Sequence, residues 1–334
     1  MNTINISVFL IAVSCAIFVT FGILGYARTK LLDSVTERSS HTAPTPRGGG
    51  VGLVVGALLG WSAWLTIQHS WDFPALTVAL AITMVAALGW WDDHVDLSPR
   101  IRLLVQFLSV FAVAWVIGLP LEVRVGQWIV AVPSWLAWSL VAFVGLGVIN
   151  LTNFMDGIDG IAAGQGCVVA LVAGLVLIVD PQWASLGIAT SGACLGFLWW
   201  NRPPARIFMG DVGSTALGLI VFVFMLVELR EGLRIEVVCL PFAPFLIDAT
   251  ATLVRRVYRR ERLTQAHRSH LYQRLARHWG SHLPVTGLYV VLAALGAVGA
   301  WLTVAGWASP WWFVGGIAGV FIALTIFARR VAMP

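Results

Sequence analysis

Apolar residues in this chain recur in blocks about 20 long, separated by short polar stretches, and a helix needs a block of that length to cross a bilayer. The blocks lie near 6–26, 51–68, 75–91, 103–118, 134–149, 161–179, 184–200, 213–228, 236–254, 285–304 and 311–328. They predict an all-α, polytopic integral membrane protein with about 11 transmembrane helices, organised as one domain over residues 1–334. The first block has no basic residue before it and no small-residue cleavage pattern after a short core, so it reads as a retained span. Gly52, Gly56 and Gly60 form a small-xxx-small row suited to close helix packing. Tryptophans such as Trp90, Trp91, Trp199 and Trp200 gather at block ends, as an interfacial belt does.

Alternating the spans across a membrane collects the loops 27–50, 92–102, 150–160, 201–212 and 255–284, with the tail, on one face. Of the 21 lysines and arginines, only Arg124, Arg230 and Arg234 fall on the other face. The positive-inside rule makes the first face cytoplasmic, with the N-terminus outside and the C-terminus inside. Composition agrees: 59% of residues are hydrophobic and 11% charged, which excludes an ordinary soluble domain. The net charge of +5 then reflects topology and attraction of anionic substrates, and calls for no nucleic acid partner. Cys15, Cys167, Cys194 and Cys239 all lie inside the blocks without ligand spacing and read as apolar filler.

Carboxylates next to apolar blocks are expensive unless they are used. In Asn150 to Gly160, the residues Asn150, Asn153, Asp156 and Asp159 recur at every third position. A spacing of three drifts around an α-helix but aligns in a 3₁₀ turn, and Gly157 and Gly160 permit an irregular break. Capping and interhelical hydrogen bonds account for the asparagines but not for the two acids. Asp92 and Asp93 directly follow the third block, with Arg100 and Arg102 beyond, and an adjacent acid pair needs a cation or a base partner. In Phe208 to Ser214, Asp211 either caps the eighth helix or holds the magnesium that a diphosphate brings to a helix N-terminus.

The loop 255–284 carries eight arginines with interleaved apolar residues, the pattern of an amphipathic helix on a membrane surface. Within it, His267, Arg268 and His270 can donate to phosphate oxygens. Asp248 lies inside the ninth block, and the sequence assigns it no role.

Together these motifs resemble the polyprenyl-phosphate N-acetylhexosamine-1-phosphate transferases. The similarity also takes in His41-Thr-Ala-Pro-Thr-Pro-Arg-Gly-Gly and runs in order from residue 41 to residue 270. It implies a Mg²⁺-dependent enzyme of bacterial inner membranes, with Mn²⁺ a substitute, that transfers an N-acetylhexosamine 1-phosphate from a UDP-amino sugar to undecaprenyl phosphate, releasing UMP. By position, Asp211 and Asn153 would hold the metal, and Asp92, Asp93, Asp156 and His267 would be catalytic. Asn150, Asn153, Asp159, Arg102, Arg268 and His270 would bind substrate, with Asp159 at the uracil end.

The family's lysine after the Asp-Asp pair is replaced here by Arg100 or Arg102, and Ser269 stands where many members have a third histidine. Tyr272-Gln273 looks more like the members that initiate O-antigen in lipopolysaccharide synthesis than like the pentapeptide translocases. The resemblance leaves the amino sugar (N-acetylglucosamine or a 6-deoxy sugar such as N-acetylfucosamine) and assembly as a homodimer open. Two rival readings are an ion-coupled transporter, which would place its acids near the midplane and show repeats, and a lipid-binding scaffold, which leaves the acids without a purpose.

Overall fold

The computed structural model describes residues 3–33, 44–261 and 268–331. Helices form at every predicted block. They are α1 (Thr3–Lys30), α2 (Gly50–Ile67), α3 (Phe73–Val95), α4 (Pro99–Ile117), α5 (Ser134–Met155), α6 (Ile161–Val172), α7 (Pro181–Asn201) and α8 (Asp211–Arg230). After these come α9 (Ile235–Cys239), α10 (Ala243–Tyr258), α11 (Leu271–Trp279), α12 (Leu283–Val304) and α13 (Pro310–Arg330). Among the described residues, nine helical segments are long and apolar enough to cross a bilayer: α1 to α5, α8, Ile235–Tyr258, α12 and α13. Of the eleven expected, Ile161–Leu177 is shorter, turning to π-helix at Ala173, and α7 falls outside the nine although no charge interrupts it.

Helix α8 is the centre of the bundle. Every residue from Val212 to Glu228 is buried, as expected of a helix apolar on all sides, with α3 and α5 packed along it. A second group joins α1, α2 and α7 through small residues. A Cβ on Gly56 would lie 2.7 Å from the Ala12 carbonyl oxygen, and one on Gly60 would lie 2.9 Å from Ala12 Cβ. The glycine row therefore packs helices, as the sequence predicts.

Three features depart from the sequence reading. The loop after α4 folds into an antiparallel hairpin, β3 (Glu122–Val125) with β4 (Trp128–Ala131), where a β-branched run flanks Gly126 at φ 58°. The preceding short strands are β1 (Leu32–Asp33) and β2 (Thr45–Pro46). The ninth block is broken: Pro241 sits in a 3₁₀ turn, Leu240–Phe242, between α9 and α10. The Asn150 to Gly160 stretch is not a 3₁₀ alignment, because α5 stays α-helical through Met155 and Asp156 ends it. Gly160, at φ 74°, then starts α6.

Candidate active site

The site is built where the C-terminal ends of α3 and α5 meet the N-terminal ends of α4 and α8. Gly89 lets α3 approach so closely that any Cβ there would overlap the Asp211 carbonyl. Gly218 lets α5 approach α8, since its Cβ would lie 2.7 Å from Ile149 Cα. Those two contacts bring Asp92 and Asp93 from one side, and Asn153 from the other, onto Asp211.

Asp211 does not cap its own helix. It is the first residue of α8, and the cap comes from α3. Asp93 Oδ1 accepts from the Asp211 N–H at 3.2 Å, and Asp93 Oδ2 accepts from the Val212 N–H at 3.3 Å. This pairs a carboxylate with the positive end of the central helix and satisfies two donors that lack intrahelical partners. The Asp211 carboxylate is left to the cleft, where Oδ1 accepts from Asn153 Nδ2 at 2.9 Å and Oδ2 lies 3.5 Å from an Arg102 guanidinium nitrogen. The same nitrogen donates to Asp92 Oδ2 at 2.6 Å, so Arg102 bridges two acids. Asp92 Oδ1 accepts from the Leu97 N–H at 2.6 Å, which locks the carboxylate's orientation.

Of the two arginines left open by the sequence, Arg102 lies against Asp92 and Asp211, whereas Arg100 is exposed. Asn150 also lies here, donating to Gln106 Oε1 at 2.9 Å and to the Leu146 carbonyl.

Arg47 is a site residue that the sequence reading passed over. It donates to the Asp93 carbonyl, and its Nε lies 3.7 Å from Asp93 Oδ1. Its loop is tied to the 208–214 motif by main-chain bonds: Phe208 N–H to Pro46 O at 2.8 Å, Gly49 N–H to Phe208 O at 2.9 Å and Gly50 N–H to Met209 O at 2.9 Å. The signal was available in Pro-Arg-Gly-Gly at 46–49, but the partner was not. His41 and His267 lie outside the described residues.

The remaining sequence candidates lie around this centre. Asp156 ends α5 half-buried. Burial above all, then repulsion from Asp211, Asp159 and Asp93, pushes its carboxyl well above the usual carboxylate range. Asp159 Oδ2 accepts from the Ala205 N–H at 3.0 Å and lies 3.1 Å from His282 Nδ1, so this acid ties the turn to the 201–206 loop. His270 is buried, with Nδ1 3.7 Å from Asp248 Oδ1, and does not line the cleft between Asp92 and Asp211. Arg268 is half-buried just before α11, its carbonyl accepting from Arg277.

Leu88, Gly89, Asp92, Arg102, Gln106, Asn150, Asn153, Asp211 and Thr215 enclose a cavity of about 20 Å³, room for one water-sized or cation-sized occupant. Its donors are oxygens from carboxylates, amides and a hydroxyl, with no sulfur or imidazole, the set that suits Mg²⁺. Among the described residues, no three His, Cys, Asp or Glu side chains form a ready-made cage. Mg²⁺ needs only one or two carboxylates and fills the rest of its shell with water and substrate phosphate. Arg102, lying between Asp92 and Asp211, already shows that this pair holds positive charge.

Residues 75–228, which take in nearly all of α3 through α8 and most of these groups, match the family model described as glycosyl transferase family 4. A probable undecaprenyl-phosphate N-acetylglucosaminyl 1-phosphate transferase of Bacillus subtilis is 30% identical over 279 residues, covering 78% of this chain and 74% of that protein. The chain belongs to glycosyl transferase family 4.

Two further relatives, both phospho-N-acetylmuramoyl-pentapeptide-transferases, match over a shorter length. That of Thermosynechococcus vestitus is 36% identical over 194 residues, and that of Synechococcus sp. (strain JA-3-3Ab) is 40% identical over 191. The chain spans about half the length of these relatives, 50% and 54% respectively. The family model thus covers the helices that assemble the acidic cleft. The loop 255–284 lies beyond the family match.

Proposed function

We propose that this chain transfers an N-acetylhexosamine 1-phosphate from a UDP-amino sugar to a polyprenyl phosphate, undecaprenyl phosphate in bacteria, and releases UMP. The observation that carries the reading is Arg102 bridging Asp92 and Asp211 beside Asn153, a charge-compensated acidic cleft at one end of a bundle of apolar helices. A cleft so placed can meet a lipid phosphate from the membrane and a nucleotide sugar from water. The bias of Arg and Lys toward the loops on that side supports a cytoplasmic site, with the N-terminus outside, in an inner membrane.

In the reaction, an oxygen of the lipid phosphate attacks the phosphorus that bears the sugar. The bond from that phosphorus to the UMP oxygen breaks, and UMP departs with the electron pair. The lipid phosphate is largely dianionic at neutral pH, so a general base is helpful without being obligatory, and a single displacement suffices. Asp211 and Asn153, with Asp92 nearby, would hold Mg²⁺, or Mn²⁺ in its place. The metal would supply charge neutralisation between acids and phosphates and polarise the phosphoryl oxygen.

Arg102 has a planar fork suited to phosphate, and Asp92 orients it. Asp93 keeps the α8 N-terminus fixed under the site, and Asp156 stands next to the reacting groups as an acid that can hold or pass a proton. Asn150 steadies the cleft wall through Gln106, and Arg268 and His267 are assigned to the sugar and diphosphate.

An N-acetylhexosamine donor, N-acetylglucosamine or a 6-deoxy sugar such as N-acetylfucosamine, is favoured over a peptide-bearing one. The match to the Bacillus subtilis relative extends over 78% of the chain, against 53% for the pentapeptide-transferases cited above. The Tyr272-Gln273 pair favours initiation of O-antigen or a similar surface glycan. The test is release of radiolabelled UMP from a panel of UDP-amino sugars by purified protein, with and without Mg²⁺ and undecaprenyl phosphate. Release requiring both is the expected result. No release from any donor, with folded protein and active lipid, overturns the transferase reading in favour of a transporter or scaffold.

A further inference from the structure

Asp248 is 1% exposed, within the apolar ninth block, where an uncompensated carboxylate is costly. Its compensation comes from α11 and α12, with Thr252 one turn along its own helix. Oδ1 accepts from the Leu271 N–H at 2.8 Å and lies 3.2 Å from the Thr252 hydroxyl, while Oδ2 accepts from the Tyr272 N–H at 3.0 Å and the Tyr289 hydroxyl at 2.6 Å. Leu271 and Tyr272 open α11, whose own N-cap residue, His270, supplies no side-chain cap. A helix of nine residues is marginal by itself, so what seats its first turn decides where it lies.

What α11 then reaches is the catalytic turn. The Tyr272 hydroxyl donates to the Phe154 carbonyl at 2.9 Å, between Asn153 and Asp156 in the chain. Burial, then the charges of Asp248 and Asp156, push the Tyr272 phenol well above its ordinary pKa, so it remains a donor. Gly157 makes room for this contact: a Cβ there would overlap the Tyr272 hydroxyl and lie 3.0 Å from Gln273 Nε2.

We propose that Asp248 is a positioning residue that seats α11, and that Tyr272 transmits this placement to the 153–157 turn, holding Asn153 and Asp156 in register with Asp211. This assignment rests on the transferase reading for its consequence in turnover, but the seating itself does not.

The test compares the full-length wild type with Asp248→Asn, Tyr272→Phe, Gly157→Ala and the Gly157→Ala/Tyr272→Phe double variant. Each is followed by hydrogen exchange and by steady-state UMP release. Tyr272→Phe leaves the Asp248 bonds intact and deletes one buried hydrogen bond. It should speed exchange at amides 154–157 about tenfold and lower kcat about tenfold, with KM for the UDP-sugar within about twofold. Asp248→Asn should do the same and also speed exchange at 271–274. Gly157→Ala should be impaired, and removing the opposing hydroxyl in the double variant should restore part of the loss, a coupling that general destabilisation would not produce.

Wild-type exchange at 154–157 in folded Tyr272→Phe overturns the proposal. So does faster exchange there with kcat unchanged. If Asp248→Asn fails to fold, Tyr289→Phe, which removes one of the donors to the carboxylate, replaces it in the same measurements. If the wild type releases UMP from no donor, the transferase reading fails, and exchange at 154–157 still decides whether Asp248 and Tyr272 seat the turn.

Discussion

Asp93 and Asp211 are both acids at helix ends, yet they do different work. Asp93 spends both oxygens on the backbone of α8, whereas Asp211 keeps its carboxylate in the cleft. Asp211→Asn should therefore abolish Mg²⁺-dependent UMP release while the protein still elutes as a folded species in detergent. Turnover at the wild-type level would remove Asp211 from the metal site.

Asp156 carries a pH signature. Its raised pKa means that the folded protein without metal binds a proton that the unfolded chain has already lost. Stability of the metal-free protein should accordingly fall as pH rises from the usual carboxylate range through the raised value. A nearby divalent cation favours the ionised form, so added Mg²⁺ should flatten that decline and release protons on binding. Thermal melts across pH, with and without Mg²⁺, and calorimetry in buffers of different ionisation enthalpy check this. Asp156→Asn should reduce both effects.

At the scale of elements, the cleft depends on how closely α3 and α5 approach α8. Gly89→Leu places a side chain against the Asp211 carbonyl, so α3 must move away and take Asp92 and Asp93 with it. Overpacking of this kind costs about 1–3 kcal/mol in stability. The loss of activity should be larger than that figure implies, because a catalytic constellation tolerates little displacement. Gly147→Leu, where nothing lies within 4 Å, is the control on α5 and should leave both nearly unchanged. Equal, small effects from the two variants would show that the α3–α8 contact does not set the site. The asymmetry between packed and open glycines follows from burial alone: α8 is enclosed along its length, whereas one side of α5 faces outward.

At the scale of the whole molecule, the acids, Arg102, Arg47 and the mouth of the cleft all lie at one end of the bundle, and the β3–β4 hairpin follows α4 at the other. Single cysteines introduced into a variant lacking the four native ones test the orientation. Ser98→Cys and Ser269→Cys should react with an impermeant thiol reagent only from the cytoplasmic side, and Gln127→Cys only from outside. Labelling of Gln127→Cys and Ser98→Cys from the same side would overturn the topology. Cysteines placed in the turns on either side of α6 and α7 would decide whether those two helices join the nine as full spans.

Much of this protein is legible without coordinates because a bilayer imposes simple demands. Each crossing must be helical and apolar, so the helix positions, the glycine row of α2 and the polar motifs at helix ends can be read along the chain. The motif at 150–160, the Asp92-Asp93 pair and Asp211 were visible because carboxylates beside apolar blocks require compensation. What supplies that compensation was not visible, since the partners are far apart in sequence.

That Asp93 caps α8, that Arg102 bridges Asp92 and Asp211, and that Arg47 joins Asp93 depend on side-chain distances set by three or four helices packing together. The same is true of Asp248: only the packed bundle shows the start of α11 and the Tyr289 hydroxyl closing over it. Local pattern determines which segments are helix and where charge is expensive. Tertiary packing decides which opposite charge or hydrogen-bond donor meets each acid, and so which acids hold the fold and which are left to face a substrate.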